Sequence, residues 1–288
     1  MPQPTLPVAV FAHNEERHIT ACLDSVHAPG LRPYVLVNGC TDGTERLVRD
    51  LARTRDLEVV TIAAGDKANA WNVFVHEIAA RADACVFLDG DVVAAPGACE
   101  ALARTLAAHP DANAAAAVPQ SGRDRPHMTR LVMQERLVLG NLYALSGSFL
   151  DRLRASRIRV PVGVVFEDGW VTSMAKWNAD PAGDWQEARV EPCPGAVYTY
   201  ESFSPARPSD IRKYWRRKVR YSVGRFQHLL LRDCLTAGGL AAMPASVADL
   251  YQPDAVDRLR IRPGEFLFDW LALRRMRQAW HARPARSS

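Results

Sequence analysis

Nowhere in the 288 residues does an apolar run approach the roughly 18 residues that a membrane-crossing helix needs. The first residues, "MPQPTLPVAVFAHNEE", carry neither the basic start nor the full-length apolar core of a signal peptide, so secretion is not expected. The six cysteines, Cys22, Cys40, Cys85, Cys99, Cys193 and Cys234, form no C-x-x-C pair and no zinc-like spacing with histidine. They read as reduced thiols of a cytoplasmic protein, excluding a disulfide scaffold. A formal charge of +4 is too mild to announce a nucleic-acid binder. The turn after the first strand lacks G-x-G-x-x-G, and Asn38 stands where a ribose-binding acid would be wanted, which argues against a dinucleotide site.

Apolar residues, by contrast, make up 48% of the chain, enough for a core that needs no metal or disulfide staple. They fall in an alternating pattern. "PVAVFA" (7–12) is a short apolar strand, and the next segment sets Ile19, Cys22, Leu23 and Val26 at helical spacing behind Asn14 as a cap. "YVLVN" leads to a helix with Leu47, Val48 and Leu51, and "LEVVTI" to one with Trp71, Phe74, Val75 and Ile78. "ACVFL" ends in Asp89-Gly90-Asp91, and "NAAAAVP" follows a further helix as a candidate fifth strand.

Strands alternating with helices imply an α/β fold with a doubly wound, mostly parallel, Rossmann-like sheet. Ligands of such sheets bind beyond the carboxyl ends of the strands, where Asp89 and Asp91 are then expected. The second half is less regular. It offers a helical pattern over "MTRLVMQERLVLGNLYAL" (128–145), a loop "VPVGVVFEDGW" (160–170) and a strand-like "GAVYTY". A basic helix follows from about Asp210 to Leu231, and an amphipathic helix over about Glu265 to Ala282 comes last. The expected organisation is one domain over 1–235, its halves meeting near 120, and a C-terminal extension over 236–288.

In an extended D-x-D both carboxylates point to one side, which suits a hard divalent cation, although an acidic turn gives the same letters. "FAHNEE" and "NGCTDGT" add polar groups at the same sheet edge, where Asn14 and Asp42 equally suit a cap and a turn. "GDKANAWN" opens a helix with a lysine, a natural neighbour for phosphate or simply a solvated first turn.

Taken in order, "HNEE", "NGCTDGT", "KANAWN", "DGD" and "FED" resemble the motifs of the inverting family 2 glycosyltransferases of GT-A fold, over roughly residues 6 to 225. The resemblance implies that His13, Asn14 and Glu15 line the base and ribose of a nucleoside diphosphate sugar, with UDP the expected nucleotide. Asn38 takes the place of a uracil-contacting aspartate, a departure that bears on base preference. Lys67 and Asn72 would lie by the sugar nucleotide, Asp89 and Gly90 by ribose and donor sugar, and Asp91 would ligate Mn2+ or Mg2+. Asp168, beside Glu167, falls on the position of the catalytic base, which takes the proton of an attacking hydroxyl. Gly147 resembles the glycine that opens the acceptor-side helix. Trp170 is open to two readings, stacking on a sugar or sitting in a core stripe with Trp177.

"RKYWRRKVRYSVGRF" (212–226) resembles the family's Q-x-x-R-W through Arg217, Arg220 and Tyr221, placing arginines by a departing diphosphate. The acceptor would be a glycan, a lipid-linked molecule or a small molecule bearing a hydroxyl. The dense basic run and the last helix, with Phe266, Trp270 and Leu273 read as one face, suit either packing on the domain or contact with an anionic membrane surface. Two other readings compete. A sugar-nucleotide pyrophosphorylase should carry a glycine-rich loop after the first strand, and "FAHNEERH" has no glycine. A non-catalytic GT-A-like module would act through its basic C-terminal third.

Overall fold

The computed structural model describes residues 5–201 and 208–282. The chain divides into two compact units, Met1–Arg159 with Glu167–Ser202, and Val160–Phe166 with Phe203–Ser288. The first unit begins with β1 (Leu6–Ala12), α1 (Ile19–Ser25), β2 (Leu31–Asn38), α2 (Thr44–Ala52), β3 (Glu58–Ile62), α3 (Lys67–Val73) and β4 (Ala84–Asp89). It continues with β5 (Val92–Ala94), α4 (Ala98–Ala108), β6 (Ala114–Pro119), α5 (Arg125–Met133), β7 (Leu142–Ser146), α6 (Gly147–Ala155), α7 (Glu167–Lys176) and β8 (Val190–Tyr200).

The strands form one eight-stranded sheet in the order β3-β2-β1-β4-β7-β6-β8-β5. β3, β2, β1 and β4 are parallel, as the alternating pattern predicts. Beyond them β7 runs antiparallel to both β4 and β6, β6 pairs parallel with β8, and β5 closes the edge antiparallel to β8.

Side chains alternate across the pleat. Val8, Val10, Val35, Val37, Val86 and Leu88 face the core shared with Ile19, Cys22 and Leu23 of α1 and Leu102 and Leu106 of α4. The opposite face is aromatic. Phe87 stacks on Tyr143 with ring centroids 4.9 Å apart and touches Trp71 and Phe74.

Several sequence expectations need correction. The helix expected over 128–145 is α5 followed by a strand: Arg136 takes a left-handed φ of 47°, and the apolar "LYALS" fills the sheet between β4 and β6. Asn14 does not cap α1, since His18 holds the cap position and Asn14 itself has φ 58°. α3 does have a side-chain cap, Asp66 accepting from the Asn69 amide at 2.7 Å, and continues as a π-helical turn over Phe74–Ile78. "FEDGW" is not all loop, because α7 begins at Glu167.

The second unit contains α8 (Pro208–Gly238), α9 (Pro253–Asp257) and α10 (Phe266–His281). The basic helix thus runs past the expected boundary at 235 and shares a unit with the segment that follows it. Asp269 of α10, fully buried, binds Arg225 of α8 at 2.9 Å and Arg262 at 2.8 Å. Among the described residues no helix is long and apolar enough to cross a membrane.

Candidate active site

The carboxyl ends of β1, β2 and β4 bring the first motifs together. After β1 the His13 Nδ1 hydrogen donates to the Asn38 carbonyl at 2.6 Å, fixing the imidazole against the end of β2. Asn38 is buried, and its side-chain oxygen accepts the Asp66 amide at 3.0 Å, so it also organises the loop before α3. Asn14 accepts from Thr41 at 2.8 Å, which ties "HNEE" to "NGCTDGT". The Glu15 carboxylate binds the His18 ring at 2.9 Å, and His18 reaches Glu201 at 3.0 Å. Burial raises the Glu15 carboxyl above its ordinary range, with the charge of Asp91 adding to the effect.

The D-G-D stretch is not extended throughout. β4 ends at Asp89, opposite Phe11 of β1, while Gly90 and Asp91 form the turn into β5. The Gly90 amide donates to the Phe11 carbonyl at 2.8 Å, and a Cβ at this position would lie 2.9 Å from that oxygen. The tight turn gives the two acids different partners. Asp89 is engaged by Lys67, whereas Asp91 acts on Glu15 and His18.

Lys67, at the start of α3, links the sheet edge to α7. Its ammonium lies 2.5 Å from Asp89 Oδ1 and 2.6 Å from Glu167 Oε1. Burial opposes its charge, but the two carboxylates outweigh burial and hold the amine well above its usual range. Phe11 and the buried Tyr143 line the apolar floor below, Tyr143 accepting from Trp71 Nε1 at 3.0 Å.

Asp168 follows in the first turn of α7. Its Oδ2 accepts the Gly140 amide at 3.0 Å and its Oδ1 the Gly169 amide at 2.8 Å. Burial pushes its carboxyl up to about 6, the charge of Glu167 adds to this, and Lys67 and the two amides pull the other way. Asp89 is likewise raised by burial, against Lys67, with Asp91 and Glu167 contributing. One ammonium therefore serves several acids, and the site is short of positive charge.

Gly140 is a site residue that motif reading missed. A Cβ there would lie 2.9 Å from Lys67 Nζ, 3.2 Å from Glu167 Oε1 and 3.4 Å from Asp168 Oδ2. Any larger residue there would push on the Lys67 ammonium and crowd Glu167. Its signal is the "LGN" directly ahead of β7.

The remaining candidates are placed as follows. Asn72 is buried on α3. Gly147 opens α6, its amide donating to the Asp83 carbonyl at 2.8 Å, and a Cβ there would collide with Ala82. Trp170 is buried in an apolar crevice with Trp71, Phe149 and Met174, following the helical stripe. Arg217 and Arg220 belong to α8 of the second unit, where Arg217 donates to the Tyr221 hydroxyl at 2.5 Å.

The family model described as "Glycosyl transferase family 2" matches residues 8–160, more than half of the chain. The chain belongs to glycosyl transferase family 2. Solved structures agree on its fold. Mannosyltransferase PcManGT from Pyrobaculum calidifontis, in complex with GDP-Man and Mn2+, aligns with a TM-score of 0.59 at 23% identity, over 98% of this chain and 76% of that one. TarS 1-349 of S. aureus, in complex with UDP-GlcNAc, aligns with a TM-score of 0.51 at 13% identity, over 96% of this chain and 91% of that one. No curated protein matches the chain significantly. This family 2 transferase thus has the GT-A fold. Its family match spans His13 to Gly147 among the residues above, and Glu167, Asp168 and Trp170 lie beyond it.

Proposed function

We propose that this transferase moves one sugar from a nucleoside diphosphate sugar to an acceptor hydroxyl with inversion, Asp168 serving as general base. The observation that carries the reading is the state of the Asp168 carboxylate. It is half-buried, its two oxygens are oriented by the Gly140 and Gly169 amides, and its proton affinity is raised to about 6, near what a base working at neutral pH needs. Asp168 takes the proton of the attacking hydroxyl as the new glycosidic bond forms and the bond to the diphosphate breaks. Glu167, held by Lys67, fixes the start of α7 and keeps Asp168 in place.

His13, Asn14, Glu15 and Asn38 bind the nucleoside in this reading, and Lys67, Asn72, Asp89 and Gly90 the sugar and diphosphate. Gly147 and Trp170 act on the acceptor side as architecture, setting α6 and α7. Among the described residues no three metal-ligating side chains cluster, so the protein alone forms no closed metal site. The donor set fits a hard cation that takes one or two carboxylates and fills its other positions with phosphate oxygens and water. Asp91 would hold it, and when bound it neutralises charge developing on the diphosphate. PcManGT, whose structure contains GDP-Man and Mn2+, and TarS, whose structure contains UDP-GlcNAc, support this donor class and ion.

The test is Asp168→Asn. The variant should bind donor nearly as the parent does, while transfer falls by about 10²- to 10⁴-fold. Unchanged turnover would remove Asp168 from the role. Release of pyrophosphate from sugar phosphate and nucleoside triphosphate would instead identify a pyrophosphorylase.

A further inference from the structure

Among the described residues nine large hydrophobic side chains are exposed, and seven of them lie on α8 and α10. Six occupy the first turns of the two helices: Ile211, Tyr214 and Trp215 on α8, and Phe266, Leu267 and Trp270 on α10, each 42–61% exposed. Trp215 meets Phe268 edge-on with centroids 4.9 Å apart, which sets the first turn of α8 beside that of α10 within the second unit. Single exposed apolar side chains are ordinary on a protein, but six on the first turns of two neighbouring helices mark a contact site. α10 turns these side chains outward even though Ala272, Leu273 and Met276 already supply its buried face. The sequence reading of Phe266, Trp270 and Leu273 as one face is therefore corrected, because Leu273 packs inside.

The same surface is cationic. Residues 211–216 are all exposed and include Arg212, Lys213 and Arg216, and on α10 the Arg274 guanidinium lies 5.8 Å from the Trp270 ring centroid. Among the described residues Arg212 and Arg216 have no ion-pair partner, so their charge is available to an anion. Trp and Tyr rings with aliphatic neighbours and snorkelling arginines are the composition that settles at a lipid headgroup boundary. Nucleic acid would use the rings and cations but leave Ile211 and Leu267 unemployed. A two-fold contact with a second copy would set the same arginines against each other.

We propose that this surface docks the protein on an anionic phospholipid bilayer. The six apolar side chains enter the headgroup boundary, while Arg212, Lys213, Arg216 and Arg274 meet the headgroups. The docking belongs to the second unit alone and does not depend on the reaction assigned to the first. It is tested by co-sedimenting the full chain with vesicles of phosphatidylcholine, or of equal parts phosphatidylcholine and phosphatidylglycerol.

The protein should pellet with the mixed vesicles, stay in solution with phosphatidylcholine alone, and release as salt rises. Arg212→Ala with Arg216→Ala should lower partitioning about 30-fold. Phe266→Ser with Trp270→Ser should abolish it at unchanged far-UV circular dichroism. If the apolar variant misfolds, the arginine variant still decides. Three results would overturn the proposal: equal pelleting of parent and arginine variant, binding of a single-stranded RNA probe without vesicle binding, or self-association lost in Trp270→Ser without vesicle binding.

Discussion

Lys67 carries the charge balance of the site, lying between a strand-end aspartate and a helix-start glutamate. Its neighbour Gly140 decides how close the backbone can come. Gly140→Ala places a methyl 2.9 Å from the Lys67 ammonium, which must shift, while its 3.4 Å approach to the Asp168 carboxylate is ordinary contact. Moving the ammonium disturbs its pairing with Asp89 and Glu167, and we expect turnover to fall by about 10²-fold with much smaller loss of melting temperature, read by steady-state kinetics beside a thermal scan. The pH profile follows from the base role proposed for Asp168. A base works only when ionised and this carboxyl is raised to about 6, so transfer should rise as pH increases through about 6 and level off above it. A profile flat from 5 to 8, roughly the range in which raised carboxylates titrate, would place the base elsewhere.

At the scale of elements, the N-terminal half was legible because its strands are continuous apolar runs covered on both faces. β7 was not. "LYALS" fits a helix or a strand equally by periodicity, and only the gap between β4 and β6 chooses. α8 and α10 depend on one buried acid. Asp269, contacted by Arg225, Arg262 and the Arg262 backbone amide, has its carboxyl held far below the usual range, although burial alone would raise it. A lowered pKa in the folded state gives stability that is present above the unfolded pKa and lost as pH falls. Unfolding of the second unit should therefore become easier below about pH 4, and Asp269→Ala should remove about 3–5 kcal/mol, since it leaves two arginines facing an uncompensated buried site. Denaturant titrations at pH 7 and in acid check both.

For the molecule as a whole, donor binding should appear as stabilisation. A nucleoside diphosphate sugar at 100 times its Kd adds about 2.7 kcal/mol to the state that binds it, a rise of roughly 5 °C in Tm. The shift should require Mn2+ or Mg2+ and disappear in Asp91→Ala, measured by thermal shift across a panel of donors that includes UDP and GDP sugars. A shift that survives both metal removal and Asp91→Ala would exclude a metal-dependent donor site at D-G-D.

By itself the sequence determined the alternation of strands and helices, hence the parallel half of the sheet, and the order of motifs, hence the family. Both are properties of residue type and spacing, written locally. It also named the acids at the strand end and at the start of α7. Tertiary structure decided what contact alone can set. It split Asp89 from Asp91 across a tight turn, gave Lys67 two partners from distant segments, and brought Gly140 against Lys67, Glu167 and Asp168. It also turned Phe266 and Trp270 outward while taking Leu273 in, because a helix's buried face is chosen by the neighbour it packs on and not by its own hydrophobicity.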